Sequence, residues 1–222
     1  MNIIKGLIIK DLLQLKSYCK TLIVFILIFI VVSISQENTV EIGNMLVLMM
    51  TLGLGMFSLA TFNYDEMSKA DRYLLTLPLT RKQVVRAKYA LVIGSTIVGS
   101  LIGIILSSII TFVMSKNVPN LLDLGLMSLG GILGIGLIES IQIPCIYKFG
   151  TEKGKIQMFI VTAGIALLAG GLFYMGEKAN LPIGNLFESL NQFLPFVLII
   201  AVVVMYGISY RISVGIFSKK EI

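Results

Sequence analysis

The 222-residue chain is 56% hydrophobic and only 14% charged, with a mean hydropathy of +0.93 and a formal net charge of +6. A soluble domain carries about 25% charged residues, so this chain cannot clothe a 24.3 kDa globule in a polar shell and belongs in a bilayer. Histidine is absent, which removes an imidazole base, a histidine-metal site and a Ser-His-Asp triad.

The chain opens with a predicted helix over residues 2–17, lying on the cytoplasmic face of the membrane. Ile4, Ile8, Leu12 and Leu15 form an apolar stripe at helical spacing, with Lys5, Lys16 and Ser17 off it and Asp11 at its edge. The plain reading is a membrane-surface anchor; the sharper one is a docking surface for a soluble partner, with Lys10 and Asp11 as its marked residues. No small-residue cleavage site follows the first apolar run, so this is not a cleavable signal peptide.

A spanning helix needs about 20 mostly apolar residues. Six stretches meet or approach that length: about 21–36, 42–64, 89–115, 124–147, 156–176 and 189–210. The first is short, and Lys20 would snorkel to extend it. The fold expected is an all-α integral membrane protein, one transmembrane domain over residues 1–222, because lipid demands that each spanning segment satisfy its own backbone.

Between the second and third spans lies the main polar connection, residues 65–88. Ser68 is placed to cap a short helix, with Asp71 as a weak capping-box partner. That helix runs to about Leu75 and stops before Pro78, since the residue preceding proline avoids the α region. Thr80 caps the next helix, which carries Arg81, Lys82, Arg86 and Lys88 into the third span.

The third span carries Ser95, Gly99, Gly103, Ser107 and Thr111 four residues apart, and the fourth adds Gly130 and Gly134. Small residues at this spacing let helix backbones approach closely, so packing is the expected role. Met45, Met49, Met50 and Met56 in the second span are likewise read as packing. Glu139 is the one acid inside a span. Such residues face a cavity or a partner; it is read as structural, protonated or bonded to Ser140, Gln142 or a neighbouring helix, with a proton or substrate contact as the alternative.

Sixteen of the 18 Lys and Arg residues fall in the N-terminal segment, the 65–88 and 148–155 connections and the tail; only Lys116 and Lys178 fall opposite. The positive-inside rule therefore puts both termini in the cytoplasm. The charge is a topology signal, and nucleic acid is not an expected partner. Cys19 and Cys145 sit at cytoplasmic span ends, where thiols stay reduced, and they are too few for a zinc cluster. The outer connections, about 36–41, 116–123 and 177–188, are too short for a receptor domain. An ATPase needs G-x-x-x-x-G-K-[ST] after a strand; the nearest stretch, Gly150-Thr-Glu-Lys-Gly154-Lys155-Ile156, is one residue short and lacks the hydroxyl. No ATP hydrolysis by this chain is expected.

Three stretches carry a family resemblance. The acidic pair Asp65-Glu66 after a span, the short helix, and Leu77-Pro78-Leu79-Thr80-Arg81 resemble the ABC-2 type transporter permeases. Residues 8–16, Ile-Ile-Lys-Asp-Leu-Leu-Gln-Leu-Lys, are similar to that family's opening helix. Residues 142–155, Gln-Ile-Pro-Cys-Ile-Tyr-Lys-Phe-Gly-Thr-Glu-Lys-Gly-Lys, resemble the connection after span four in its small six-span bacterial branch. Within that branch the chain looks most like permeases of exporters for phenol-soluble modulins, which are amphipathic peptide toxins.

The resemblance implies a transport subunit of an ATP-driven exporter in the bacterial plasma membrane. Its 65–88 region would form a coupling helix seated in a groove of the ATP-binding subunit, through Asp65, Glu66, Ser68, Asp71, Arg72, Leu75, Leu77, Pro78 and Arg81. Tyr147, Lys148, Phe149 and Gly150 would make the second cytoplasmic contact. The implied partners are two ATP-binding subunits, which carry the ATP and Mg, a second permease copy as a homodimer or heterodimer, the lipid bilayer and a peptide substrate. No cofactor or metal is implied on the chain itself. The rival readings are a secondary transporter or channel, an integral-membrane enzyme, and an ABC permease for toxin immunity or small-drug efflux.

Overall fold

The computed structural model describes residues 3–16, 39–69, 79–115, 120–154 and 194–219, with scattered positions between 20 and 31 and between 156 and 167. The long elements are helices throughout: α1 (Ile3–Lys16), α2 (Thr39–Met67), α3 (Arg81–Ser115), α4 (Leu121–Phe149) and α5 (Leu194–Lys219). Strands are absent among the described residues. Helices α2 to α5 are each long and apolar enough to cross a membrane; α2, α3 and α4 contain the expected second, third and fourth spans, and α5 contains residues 194–210 of the expected sixth. The expected first and fifth spans, 21–36 and 156–176, fall largely outside the described residues, as does the outer connection at 177–188.

Helix α3 has 35 residues, about 52 Å at 1.5 Å per residue, against a hydrocarbon core of about 30 Å. About half of its surplus, roughly 11 Å, is the charged first two turns. Thr80 and Gln83 begin it with a reciprocal capping box: the Thr80 amide donates to Gln83 Oε1 at 2.9 Å, and the Gln83 amide reaches Thr80 Oγ1 at 3.4 Å. That satisfies two of the amides a helix start leaves free, so the expected cap at Thr80 is present.

The chain divides into two compact units, Met1–Gly136 with Phe217–Ile222, and Leu137–Ile216. In the first, α2 and α3 are the most extensively packed pair, and α1 touches them far less. Two glycines set their spacing. A Cβ at Gly99 would lie 2.8 Å from the Met50 carbonyl oxygen, and one at Gly103 would lie 2.9 Å from Val47 Cα. The backbones thus meet where sequence spacing put the small residues. Leu46, Val47, Met50, Val85 and Val92 are buried around this seam.

Two expectations about packing change. Gly130 and Gly134 meet no neighbour among the described residues, whereas Gly131 faces Leu48 and Thr51 of α2. The methionines do not share one face either: Met50 is in the core while Met45 and Met56 are exposed. Six hydroxyls inside the spans return to their own helix. Thr51, Ser58, Thr96, Ser100, Ser108 and Ser140 each donate to a carbonyl three or four residues back, which satisfies them in apolar surroundings.

In the second unit, α4 ends at Gly150, whose φ of 85° is the left-handed conformation that closes helices. Its amide donates to the Ile146 carbonyl at 2.9 Å, and the chain re-enters helix at 151–154. The stretch from Gly150 to Gly154 therefore follows a helix, where a phosphate-binding loop follows a strand.

Candidate functional site

The first unit concentrates its buried charge at one end of α2 and α3. Asp65 lies in the last turn of α2, Lys88 in the third turn of α3, and Lys10 and Asp11 in the middle of α1. Lys88 Nζ is 2.6 Å from Asp65 Oδ2 and 3.1 Å from Asp11 Oδ2. Lys10 Nζ is 2.7 Å from Asp65 Oδ1 and 3.1 Å from Asp11 Oδ1. Each lysine therefore pairs with both aspartates, and the four charges close a neutral ring.

Burial makes the ring consequential. Asp11 is 2% exposed, Lys88 4% and Asp65 6%. Isolated charges at that depth are costly, and only full pairing with additional hydrogen bonds offsets the loss of water. Additional bonds reach Lys88 and Asp65. Lys88 Nζ donates to Thr61 Oγ1 at 3.2 Å and lies 5.0 Å from the centre of the Phe62 ring, a cation–π distance. Gln14 Nε2 donates to Asp65 Oδ1 at 3.2 Å. Burial on its own would lower the Lys10 pKa; the hydrogen bond to Asp65 and the charges of Asp11 and Asp65 outweigh it and raise the group above its ordinary value.

The ring docks α1 on the bundle through its charged face. Leu7 and Asp11 are buried, while Ile9, Leu12 and Leu13 are more than half exposed. The helix docks through charge and presents apolar side chains outward. Lys88, expected as one of four cations on the helix entering the third span, shares a helical face with the buried Val84, Val85, Leu91 and Val92. A lysine at i+3 and i+4 of an apolar stripe is the signal that marks it. Lys10 and Asp11, singled out on α1, are both in the ring.

The residues expected to contact a partner divide. Asp65 points into the bundle, while Glu66, Met67 and Ser68 are exposed. Ser68 closes α2 instead of opening a new helix: its amide and its hydroxyl both donate to the Tyr64 carbonyl, at 2.9 and 2.7 Å. Lys69 follows at a φ of 51°, the left-handed turn that ends a helix. Asp71, Arg72, Leu75, Leu77 and Pro78 lie outside the described residues. Arg81, the first residue of α3, donates through Nη1 to the Phe217 and Ser218 carbonyls at 2.7 and 2.9 Å. A cation there satisfies carbonyls left free at the end of α5 and complements its dipole.

At the second expected contact, Tyr147 is buried, and Lys148 lies 5.0 Å from the Phe149 ring centre. Phe149 is exposed and Gly150 forms the closing turn. Glu139 is fully buried, and its Oε2 accepts from the Tyr206 hydroxyl of α5 at 2.5 Å. A bond to a neighbouring helix is the structural reading expected for it, although nothing in the sequence identified Tyr206. Beside this pair, α4 and α5 enclose an apolar groove of about 420 Å³ that includes Pro144, Cys145, Met205 and Ile212. Among the described residues no three Cys, Asp or Glu side chains converge as a metal site needs.

Long apolar helices, inward-turned charge at one end and lipid-compatible outer faces define a multi-pass membrane protein. The family model for the ABC-2 family transporter protein matches residues 6–218, and the chain belongs to that family as a membrane permease of an ABC transporter. Permeases of this family are transport subunits, the ATPase generally residing on a separate subunit, and membership implies an ABC ATP-binding partner. No curated protein and no solved structure matches the chain.

Proposed function

We propose that the chain is the permease subunit of an ATP-driven exporter, with six spans and both termini in the cytoplasm of a bacterial cell. Two permease copies, alike or paired as a heterodimer, surround the path, and two ATP-binding subunits supply ATP and Mg. An amphipathic or antimicrobial-type peptide is the cargo, on the strength of the resemblance to exporters of phenol-soluble modulins.

The observation that carries this reading is the closed ring Lys10–Asp11–Asp65–Lys88. It ties α1, α2 and α3 at the end from which the 68–80 connection emerges. A connection rooted in a braced three-helix base can pass force to two spans at once, as a coupling element requires. Glu66, Ser68, Asp71, Arg72, Leu75, Leu77 and Pro78 are its contact surface in this reading; Asp65 and Arg81 fix its two ends. Lys148, Phe149 and Gly150, braced by Tyr147, supply the second contact.

ATP binding draws the two partners together, the partners draw the 68–80 connections with them, and the spans reorient to release cargo outward. Replacing Arg72 and Leu75 by alanine tests this directly. The variant should insert normally and bind the ATP-binding subunit more weakly, with ATP hydrolysis no longer tied to export. Unchanged binding and coupling would remove the contact assignment.

A further inference from the structure

We propose that the ring Lys10–Asp11–Asp65–Lys88 is an ionic latch that holds α1 against α2 and α3, and that it opens and recloses in every transport cycle. The opening half of this inference rests on the permease reading above; the holding half does not.

Three observations point to a latch instead of a fixed brace. First, α1 touches its neighbours far less than α2 and α3 touch each other. Its exposed face is apolar at Ile9, Leu12 and Leu13, and among the described side chains the ring, the Gln14–Asp65 bond and the buried Leu7 hold it in the first unit. Second, the ring joins residues on three separate elements, and Asp65 and Lys88 stand on either side of the 68–80 connection. A pull that spreads α2 from α3 at that end lengthens the Lys88–Asp65 contact first. Third, the ring is charge-neutral and closed, with every lysine shared between both aspartates. Losing one contact leaves the others undercompensated in a buried site, so the ring comes apart as a unit. Buried ion pairs stabilise a fold less than apolar packing of the same volume, and their best-attested use is to set register or to switch. A ring of this kind gives α1 two defined states, docked and released, in place of a continuum.

The test uses the full chain reconstituted with its ATP-binding partner in phosphatidylethanolamine–phosphatidylglycerol vesicles. Cys19 and Cys145 are replaced by serine, and spin labels are attached through cysteines at Leu13 and Met67, both exposed. Their separation is measured by pulsed electron resonance without nucleotide and with ATP plus vanadate. The parent should show one short distance without nucleotide and a second, longer one with ATP–vanadate. Lys88→Met should show the longer or a broadened distance without nucleotide. Inverting all four charges (K10D/D11K/D65K/K88D) keeps the alternation of the ring and should restore both the short distance and ATP hydrolysis. The apolar ring K10M/D11L/D65L/K88M should stay docked in both states, with ATP hydrolysis by the complex lowered about tenfold, the scale of a typical coupling between sites.

A parent distance that does not respond to ATP–vanadate overturns the opening step, as does an apolar ring that turns over at the parental rate. A Lys88→Met chain with the parental distance overturns the latch itself, and that measurement needs no ATP-binding partner. If Lys88→Met does not insert, the inverted and apolar rings decide the question. Failure of the permease reading would appear separately, as an ATP-binding subunit that neither binds the chain nor responds to it.

Discussion

Lys88 and Asp65 meet at 2.6 Å across the ends of α2 and α3, both almost fully buried. The contact sits where the chain leaves the bundle and returns, so it closes the loop between the two helices from the inside. Lys10 and Asp11 of α1 complete the charge balance. Replacing Lys88 with methionine leaves two buried carboxylates sharing a single lysine. Removing one member of a buried pair costs about 3–5 kcal/mol, and thermal unfolding in detergent should show a loss of that order. Lys88→Arg keeps the charge and should recover part of it; a full loss in both variants would mean that shape, not charge, matters at this position.

The α2–α3 seam makes a prediction with an internal control. Gly99→Ala drives a methyl into the Met50 carbonyl, and Gly103→Ala drives one into the Val47 backbone. Overpacking of this kind costs about 1–3 kcal/mol. Gly94, five residues before Gly99 on the same helix, has no atom within 4 Å of its Cβ position. Gly94→Ala should be neutral or slightly stabilising through helix propensity. Equal effects at the three positions in an unfolding assay would contradict the close approach.

The pH response of α1 follows from Lys10. Its pKa in the folded chain is raised above the ordinary value of 10.5, so protonation favours the docked state. The contribution is fully present below 10.5 and is lost as pH rises through the higher folded value. The Leu13–Met67 distance should therefore be constant through the neutral range and lengthen only in strongly alkaline solution. A change between pH 6 and 8 would show that another group controls docking.

Tyr206→Phe removes a donor from the buried Glu139. Leaving a buried acceptor short of a donor costs about 1–3 kcal/mol, more when it is charged, and the loss should appear as a lower unfolding temperature. Glu139→Gln in the Tyr206→Phe background should recover some of it, because the amide has one acceptor oxygen to satisfy where the carboxyl has two. Transport that fails in Glu139→Gln while stability is unchanged would move Glu139 from a structural to a transport role.

Much of this was legible from spacing. The apolar runs marked the cores of α2, α3 and α4, Thr80 marked the start of α3, and Gly99 and Gly103 marked the seam. What escaped has a common physical cause. In a bilayer the lipid-facing side of a helix is as apolar as its packed side, so periodicity locates a helix without saying which face is inward. On α1 the stripe by itself does not show that Asp11, at its edge, is the buried residue while Leu12 is exposed. The same degeneracy hid the difference between Gly130 and Gly131. Lys88 was obscured because charge near a span end ordinarily reports topology; its place among buried valines was the distinguishing sign. Tyr206 had no sequence signal, since its partner lies 67 residues away.

The central claim is that a separate ATP-binding protein drives this permease through the connection between α2 and α3. The most direct measurement is co-purification of the tagged full chain with the ATP-binding protein encoded beside it, followed by ATP hydrolysis in vesicles. The parent chain should retain that protein and stimulate its hydrolysis, and the Arg72→Ala, Leu75→Ala double variant should insert but lose both. A chain that transports without any ATP-binding partner, or a double variant that retains full binding and stimulation, would contradict the account.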